Sequence, residues 1–282
     1  MTVPGPSTGT LFLVGTPIGN LEDITLRALR ILREVPVIAA EDTRQTKKLL
    51  DRYEIHRPLI SYYEHNEAAR VKLLLTKLRV GDVALVSEAG MPGISDPGYD
   101  LVQAAIDSGI PVVPIPGPSA PIAALAASGL PTDQFVYLGF LPRRGTDRRA
   151  AFAAIREEPR TLVAFESPHR LVASLQDAQA ELGDRRVVVA RELTKLHEEF
   201  VRGTLSEAIA QFEVAPPRGE VTLVIAGAKP APLEVNVAER AQDLVRAGMS
   251  TRDVATILSQ ETGLPRRQIY QLLIDARKCA KM

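Results

Sequence analysis

Tryptophan is absent from the 282 residues, and aromatic residues together make up only 5% of them. So few rings exclude a surface built by stacking the bases of single-stranded nucleic acid. Cysteine is nearly missing as well: the one thiol, Cys279, allows neither an internal disulfide nor a cysteine metal cluster. Net charge is missing too, since 34 basic residues face 34 acidic ones. A dedicated nucleic-acid binder is usually basic, so any RNA contact must come from local patches. The four histidines, His56, His65, His169 and His197, lack metal-ligand spacing, and no metal is expected. No apolar run approaches the ~20 residues of a membrane span. Met1–Gly9 has neither the basic start nor the apolar centre of a secretory signal and is expected to be a disordered tail. The expected compartment is the cytoplasm, with no membrane partner.

What the chain does have is a repeated figure. Six times a short, mostly β-branched run stops in a small, polar, Gly/Pro-rich stretch. Leu11–Val14 leads into Gly15–Asn20, Val37–Ala40 into Glu41–Arg44, and Val83–Val86 into Ser87–Gly98. Val112–Ile115 leads into Pro116–Ala120, Leu162–Phe165 into Glu166–Arg170, and Val187–Ala190 into Arg191–Lys195. Continuous apolar runs of this length read as buried parallel strands. Most of the loops enter segments of helical period, so the chain is α/β. In open α/β sheets, ligands sit beyond the carboxyl ends of the strands, where the unusual residues cluster.

The length suits two or three domains. A first α/β domain is expected over residues 10–138, with helices at Thr25–Glu34 (Asp23 as a candidate cap), Arg44–Tyr53, Glu67–Arg79, Tyr99–Ser108 and Ser119–Ser128. Gly139–Arg149 reads as a linker opening a second α/β domain, 139–228. That domain is expected to hold a first helix, strand Thr161–Phe165, helix Leu171–Leu182 and strand Arg186–Ala190. Two late strands near Phe200–Gly203 and Val221–Ala226 are expected to pair antiparallel in part. Residues 229–282 read as a linker and a three-helix domain, with helices at Val237–Ala247, Thr251–Gln260 and Arg266–Arg277. Gly248 and Gly263 sit at helix ends, Ser250 and Asp253 form a capping-box-like start, and Pro265 suits a first turn.

Each loop has a structural and a chemical reading. Gly15–Asn20 is either a tight turn or an amide cradle for a carboxylate or phosphate; it is neither a Walker loop nor a dinucleotide fingerprint. In Glu41–Arg44, Asp42 or Thr43 caps a helix, or Arg44 meets a substrate phosphate or fixes Glu41. Ser87–Gly98 carries the strongest signal. Its three Gly, two Pro, Glu88 and Asp96 supply more permissive backbone than a structural turn needs, as if to wrap a polar small molecule. Pro116–Ala120 offers the free amides of a helix led by Ser119. His169 is either a general base or a structural partner, and Glu192 and Lys195 either handle a hydroxyl or simply pair. Arg266, Arg267, Gln268, Tyr270 and Gln271 resemble the start of a DNA-reading helix, or belong to a small capping bundle.

Taken in order, Thr16-Pro-Ile-Gly-Asn-Leu21, Glu41-Asp-Thr-Arg44, Ser87–Gly98, Pro116-Gly-Pro-Ser119, Glu166-Ser-Pro-His-Arg170 and Arg191-Glu-Leu-Thr-Lys195 resemble the ribosomal RNA small subunit methyltransferase I family of the tetrapyrrole (corrin/porphyrin) methylase superfamily. The likeness runs from Thr10 into the helical tail. The family usually has Asp and Thr where this chain has Glu88 and Met91, and often Tyr in place of Phe165. The resemblance implies two α/β domains with S-adenosylmethionine in the cleft between them, and a homodimer. It implies 2′-O-methylation of a cytidine ribose in the decoding region of 16S rRNA, with the RNA or the 30S subunit as partner. A methylase acting on a tetrapyrrole precursor, a non-catalytic ribosome-binding protein and a nucleotide-binding α/β enzyme are the rival readings.

On this basis Lys195, Glu192 and Glu88 are the candidates for handling the hydroxyl. The cofactor is expected against Pro17, Ser87, Glu88, Ala89, Gly90, Ile94 and Asp96 of the first loops. Pro116, Ser119, Ala120, Phe165 and Glu166 are expected to complete its site. Arg44, Arg170 and the pairs Arg143/Arg144 and Arg148/Arg149 are expected to hold RNA phosphates, joined by Arg266 and Arg267 of the tail.

Overall fold

The structure is a computed structural model, and it describes residues 9–229, 237–262 and 266–270. The chain divides into two compact units, one ending at Gly227 and one beginning at Ala228.

The first unit opens with β1 (Leu11–Val14), α1 (Leu26–Glu34), β2 (Val37–Ala40), α2 (Thr43–Arg52), β3 (Leu59–Ser61) and α3 (Glu67–Leu78). It continues through β4 (Val83–Val86), α4 (Tyr99–Asp107), β5 (Val112–Ile115) and α5 (Ala120–Ser128). The five strands form a wholly parallel sheet in the order β3-β2-β4-β1-β5. Successive side chains of a strand point to opposite faces. Ile38, Ala40, Ala84 and Val86 therefore meet α1 and α2 on one side, while Val37, Ala39, Val83 and Leu85 meet α3 and α4 on the other. Burial on both faces is why these strands read as unbroken apolar runs. Thr25 caps α1 by accepting from the Ala28 amide at 3.1 Å; Asp23, the expected cap, instead ends a short 3-10 turn.

The chain then builds a second sheet from β6 (Phe135–Phe140), β7 (Thr161–Glu166), β8 (Arg186–Arg191), β9 (Glu199–Thr204) and β10 (Val221–Ile225). Between them run α6 (Gly145–Ala154), α7 (Leu171–Leu182) and α8 (Leu205–Val214). The order is β6-β7-β10-β8-β9. Only β6 and β7 pair in parallel; β10 is antiparallel to β7 and β8, and β8 to β9. The expected pairing of the two late strands is thereby corrected: β8 lies between them, and each pairs with it. The second sheet is mixed rather than parallel. The expected linker is corrected as well. Phe135–Phe140 is a strand of the second sheet, so the expected boundary at Leu138 falls inside it, and Gly145–Ala154 is a helix.

Helices α6, α7 and α8 cover one face of this sheet, burying Phe152, Leu171, Leu175 and Phe212 against Leu162, Val189 and Leu223. The other face receives α5 from the first half of the unit, with Ala124 and Leu125 against Val163, Val188, Ala190 and Val224. Arg148 locks α6 to α7. It is buried, and its guanidinium stands 2.5 Å from Asp177 while also donating to the Pro142 carbonyl at 3.3 Å. Thr204 and Glu207 form a reciprocal capping box at the start of α8, a helix whose Thr-x-x-Glu signature is plain in the sequence.

The second unit contains α9 (Val237–Arg246), α10 (Thr251–Thr262) and a helical turn at 266–270. Ala241, Leu244, Val254, Ala255, Leu258 and Ile269 make its core. Gly248 takes the left-handed conformation expected at a helix end, with φ of 83°. Ser250 accepts from the Asp253 amide at 3.2 Å. Gly263, Pro265, Gln271 and Cys279 lie outside the described residues.

Truncating one member of a buried ion pair strands the other charge. Asp177→Ala is expected to lower unfolding free energy by about 3–5 kcal/mol, read as a fall in the denaturant midpoint, with cofactor affinity unchanged.

Candidate functional site

The carboxyl ends of β4, β1 and β5 lie side by side, and their loops meet there. Thr16 and Gly90 exchange backbone hydrogen bonds of 2.9 and 3.1 Å, tying the loop after β1 to the loop after β4. The loop after β5 closes from the other side. A Cβ on Gly117 would stand 2.8 Å from the Gly15 oxygen, and one on Gly15 would stand 2.8 Å from the Gly117 Cα, so neither position admits a side chain. In the loop after β4, Gly90, Gly93 and Gly98 all have positive φ, which glycine takes without steric cost. Ser95 takes it as well, at 61°, and its hydroxyl is fixed 2.8 Å from the Tyr137 hydroxyl of β6.

The second sheet supplies the opposite wall from the ends of β7 and β8 and the start of β10. Gly19 lies directly against Leu193, Thr194 and Lys195 in the turn after β8. Together these segments enclose a cleft of about 830 Å³, within the range of small-molecule sites.

Carboxylates concentrate on the first wall. Glu41 accepts from the Glu88 amide at 3.1 Å. Burial raises its pKa, partly opposed by that hydrogen bond, with the charges of Glu88 and Asp42 adding to the rise. Asp96 is pushed up to about 7, first by burial and then by the nearby Glu41 charge, against a lowering hydrogen bond from Ser87. Like-charged neighbours in a shielded wall disfavour ionisation. A bound cation would remove that penalty.

On the second wall, the Lys195 ammonium stands 2.9 Å from Glu192 and 3.0 Å from Glu220. Burial pulls the Lys195 pKa down, but hydrogen bonds to the two carboxylates outweigh it, and the net shift is upward. Glu192 is held below its usual value by the Glu220 amide, at 3.0 Å, and by Lys195. Gly219, with φ of 79°, leaves the room this carboxylate needs. Glu166 is buried, takes a hydrogen bond from Ser174, accepts from the Ser167 amide at 2.5 Å and pairs with Arg170 at 2.6 Å.

Eleven of the twelve residues expected around a cofactor line the cleft: Pro17, Ser87, Glu88, Ala89, Gly90, Ile94, Asp96, Ser119, Ala120, Phe165 and Glu166. Pro116 does not; its loop reaches the cleft only from Ser119 onward. Lys195 and Glu88 line the cleft, whereas Glu192 stands behind Lys195. His169 is exposed and is not part of the lining.

Among the arginines, the expectation for Arg148 is corrected, because its buried guanidinium is committed to Asp177. Arg170 is tied to Glu166, and one of its nitrogens is buried without a partner. Arg44 is 89% exposed, 3.5 Å from Asp42, the residue that caps α2; it does not fix Glu41. Arg143, Arg144 and Arg149 are exposed, Arg149 while paired with Asp177. Arg266 and Arg267 are exposed in the second unit.

Sequence reasoning overlooked Glu41 as a lining residue, along with Tyr137, Phe140, Gly219 and Glu220. Tyr137 and Phe140 belong to β6, whose Phe-Val-Tyr-Leu run carries a strand signal hidden by the glycine that follows it. Among the described residues, no group of three His, Cys, Asp or Glu is placed to hold a metal.

Residues 10–209 match the model of the Tetrapyrrole (Corrin/Porphyrin) Methylases. A ribosomal RNA small subunit methyltransferase I from Synechocystis sp. is 50% identical, covering 95% of this chain and 98% of its own. A relative of the same name from Thermotoga maritima is 54% identical, covering 78% of this chain and 99% of its own. Among solved structures, the methyltransferase CobJ superposes with a TM-score of 0.60 at 17% identity, over 78% of this chain and 95% of its own. The uroporphyrin-III C-methyl transferase from Thermus thermophilus, complexed with S-adenosyl homocysteine, gives 0.54 at 23%, over 77% and 97%. At these identities the structural likeness speaks for the fold alone. The extent and level of the sequence identity go further: the chain belongs to the ribosomal RNA small subunit methyltransferase I family, within the tetrapyrrole methylases.

Proposed function

We propose that the protein methylates the ribose 2′-hydroxyl of a cytidine in the decoding region of 16S rRNA. It acts in the cytoplasm as a homodimer, on the RNA or on the 30S subunit. The supporting observation is the 50% identity, along 95% of the chain, to a relative named for ribosomal RNA methylation. The six ordered motifs shared with that family support the finer reading.

S-adenosylmethionine is the methyl donor, and it supplies an electrophilic methyl on a sulfonium. The cleft fits such a group. Gly15 and Gly117 admit no side chain and Gly90 holds a positive φ, and the loops they shape bring Thr16–Gly19 and Ser87–Met91 to the cleft surface. Glu41, Glu88 and Asp96 provide the negative potential a cation requires. Ile94, Ala120 and Phe165 offer apolar surface. Ser87–Asp96, Ser119, Ala120 and Phe165 are the residues that would hold it.

The chain's own residues then have three tasks: to align an oxygen behind the methyl, to exclude water, and to receive one proton. Alignment can contribute several kcal/mol, on the order of 7–11 at best. Lys195, kept protonated by its two carboxylates, stabilises negative charge developing on the ribose oxygen. The ribose hydroxyl must lose its proton on accepting the methyl group, and Glu88 would receive that proton and pass it to solvent. Glu192, ionised and already hydrogen-bonded, positions Lys195. The exposed Arg44, Arg143, Arg144 and Arg149 steer RNA phosphates toward the cleft.

Incubation with labelled donor and 30S subunits from a strain lacking the protein is expected to place one label on a 2′-oxygen of a decoding-region cytidine; label on a base, or none, overturns the proposal. Lys195→Ala is expected to lower kcat about 10²–10³-fold while calorimetry finds the donor Kd within about twofold; near-normal turnover removes Lys195 from the chemistry.

The raised Asp96 pKa sets a pH dependence. Below pH 7 the carboxyl is largely neutral, so affinity for the cationic donor is expected to rise from pH 6 to 8. S-adenosylhomocysteine, which lacks the sulfonium charge, should show a shallower rise, and Asp96→Asn should flatten both. In the unfolded chain Asp96 ionises near pH 4, so between about pH 4 and 7 the native state binds more protons. Stability is lost across that window as pH rises, and Asp96→Asn should raise the Tm of the donor-free protein at pH 8 but not at pH 4.

A further inference from the structure

A second hollow, of about 380 Å³, lies on the far side of the turn that carries Lys195. The two hollows share that turn as a wall. Lys195 and Glu220 face the cleft, while Glu192, His197 and Arg218 face the outer hollow. Between Lys195 and His197 comes Leu196, 93% exposed.

A single exposed leucine needs no explanation; the rigidity of its support is the unusual feature. Glu192 and Thr194 take left-handed φ of 54° and 66°. Lys195 N–H donates to the Glu192 carbonyl at 3.0 Å, and Glu198 N–H to the Lys195 carbonyl at 3.1 Å. Thr194 N–H donates to the Glu198 carboxylate at 2.7 Å, and the Lys195 ammonium binds the turn to Glu220. Strained backbone persists where its surroundings over-determine it. This turn presents its apolar tip in one fixed place.

We propose that the outer hollow binds the nucleotide adjacent to the methylated one, and that Leu196 is the wedge that separates the two. The inference rests on the RNA-methylation reading above. A nucleotide that enters an enclosed site must leave its stack. Apolar side chains serve elsewhere as wedges between base steps. The neighbour then needs a platform and polar partners for its edge. Phe212, Pro216 and Pro217 give the hollow an apolar floor. Glu199, held 2.6 Å from Arg191, can accept from an exocyclic amine. His197 and Arg218 are exposed at the rim, where the connecting phosphate would pass. Lys195 and His197 are two residues apart, at most about 7 Å of chain, a separation suited to one nucleotide step.

The test uses the full-length protein and 30S subunits reconstituted with 16S RNA bearing one abasic ribose beside the target, on the 5′ or the 3′ side. An abasic site on one side is expected to cost about tenfold in kcat/KM. That penalty should shrink in the Glu199→Ala variant, which has already lost the acceptor for the base, but not in the His197→Ala/Arg218→Ser double variant, whose lost phosphate contacts are independent of the base. Leu196→Ser is expected to raise the KM for 30S subunits about tenfold with the donor Kd unchanged, and Leu196→Met should restore it. Methylation that tolerates abasic sites on both sides within about twofold, or a normal KM for Leu196→Ser, overturns the proposal and leaves the RNA-methylation reading intact. If the wild-type protein binds the donor but methylates no ribose of intact subunits, that reading fails and the inference falls with it.

Discussion

The backbone of Gly15 touches the backbone of Gly117, and nothing larger than hydrogen fits between them. The rest of the site depends on that contact. Sheet order places β1 between β4 and β5, so the loops leaving all three strands compete for one edge. They can share it only if two of them pass with no side chain in between and the third is hydrogen-bonded to its neighbour, as Thr16 and Gly90 are. The contact fixes the residues that follow, so that Thr16, Pro17, Gly90 and Ser119 line the cleft at positions set by the sheet rather than by flexible side chains. The arrangement also explains why the loop after β4 needs several glycines: once bridged to Thr16, it must still turn back toward α4.

A cleft needs two walls at a fixed separation. Here three contacts set it. Helix α5 belongs to the first half of the unit by chain order yet packs on the second sheet. Gly19 abuts the turn after β8, and Ser95 is hydrogen-bonded to Tyr137. These contacts flank the cleft, so its walls are held without filling it. The site nevertheless costs stability. Ser95, Glu192 and Thr194 hold left-handed backbone, worth about 1–3 kcal/mol each in such residues. Glu41 and Asp96 are shielded beside like charges. Strain and repulsion gathered at one edge, while both cores are well packed, indicate a surface shaped for a ligand.

Much of this was legible in the sequence. The first sheet's strands announce themselves because burial on both faces removes any alternation, and the loops because permissive residues concentrate there. The cofactor candidates could be named before the fold was known because they sit in six ordered motifs at strand ends. Other features were hidden for physical reasons. β6 was read as domain boundary and linker because Gly139 and the following Pro and Arg residues resemble punctuation, although the ladder to β7 tolerates the glycine at a register shift. Arg148 looked like one more exposed arginine of a basic run. Its partner, Asp177, is 29 residues away on another helix, and no local pattern reports such a pairing. Glu41 looked like part of a helix cap, which is in fact the work of Asp42 beside it. Side-chain partnerships between distant segments were the part the sequence could not supply.

The Lys195 cluster shows why such partnerships matter more than residue types. An ammonium on a four-carbon stem is flexible, and a flexible charge must be reorganised as negative charge develops on an acceptor. Glu192 and Glu220 remove that freedom, and Glu192 is itself fixed by the Glu220 amide. Two carboxylates around one lysine would ordinarily quench its field. Glu220 is largely exposed, however, so water screens its charge more than that of the half-buried ammonium. The lysine therefore stays protonated and stays in place, while the cleft side of its charge remains open. Glycine at 219 is the silent requirement, since a side chain there would occupy the position of the Glu192 carboxylate. Two glycines in distant loops, Gly19 against the Lys195 stem and Gly219 against its anchor, thus set where Lys195 can stand.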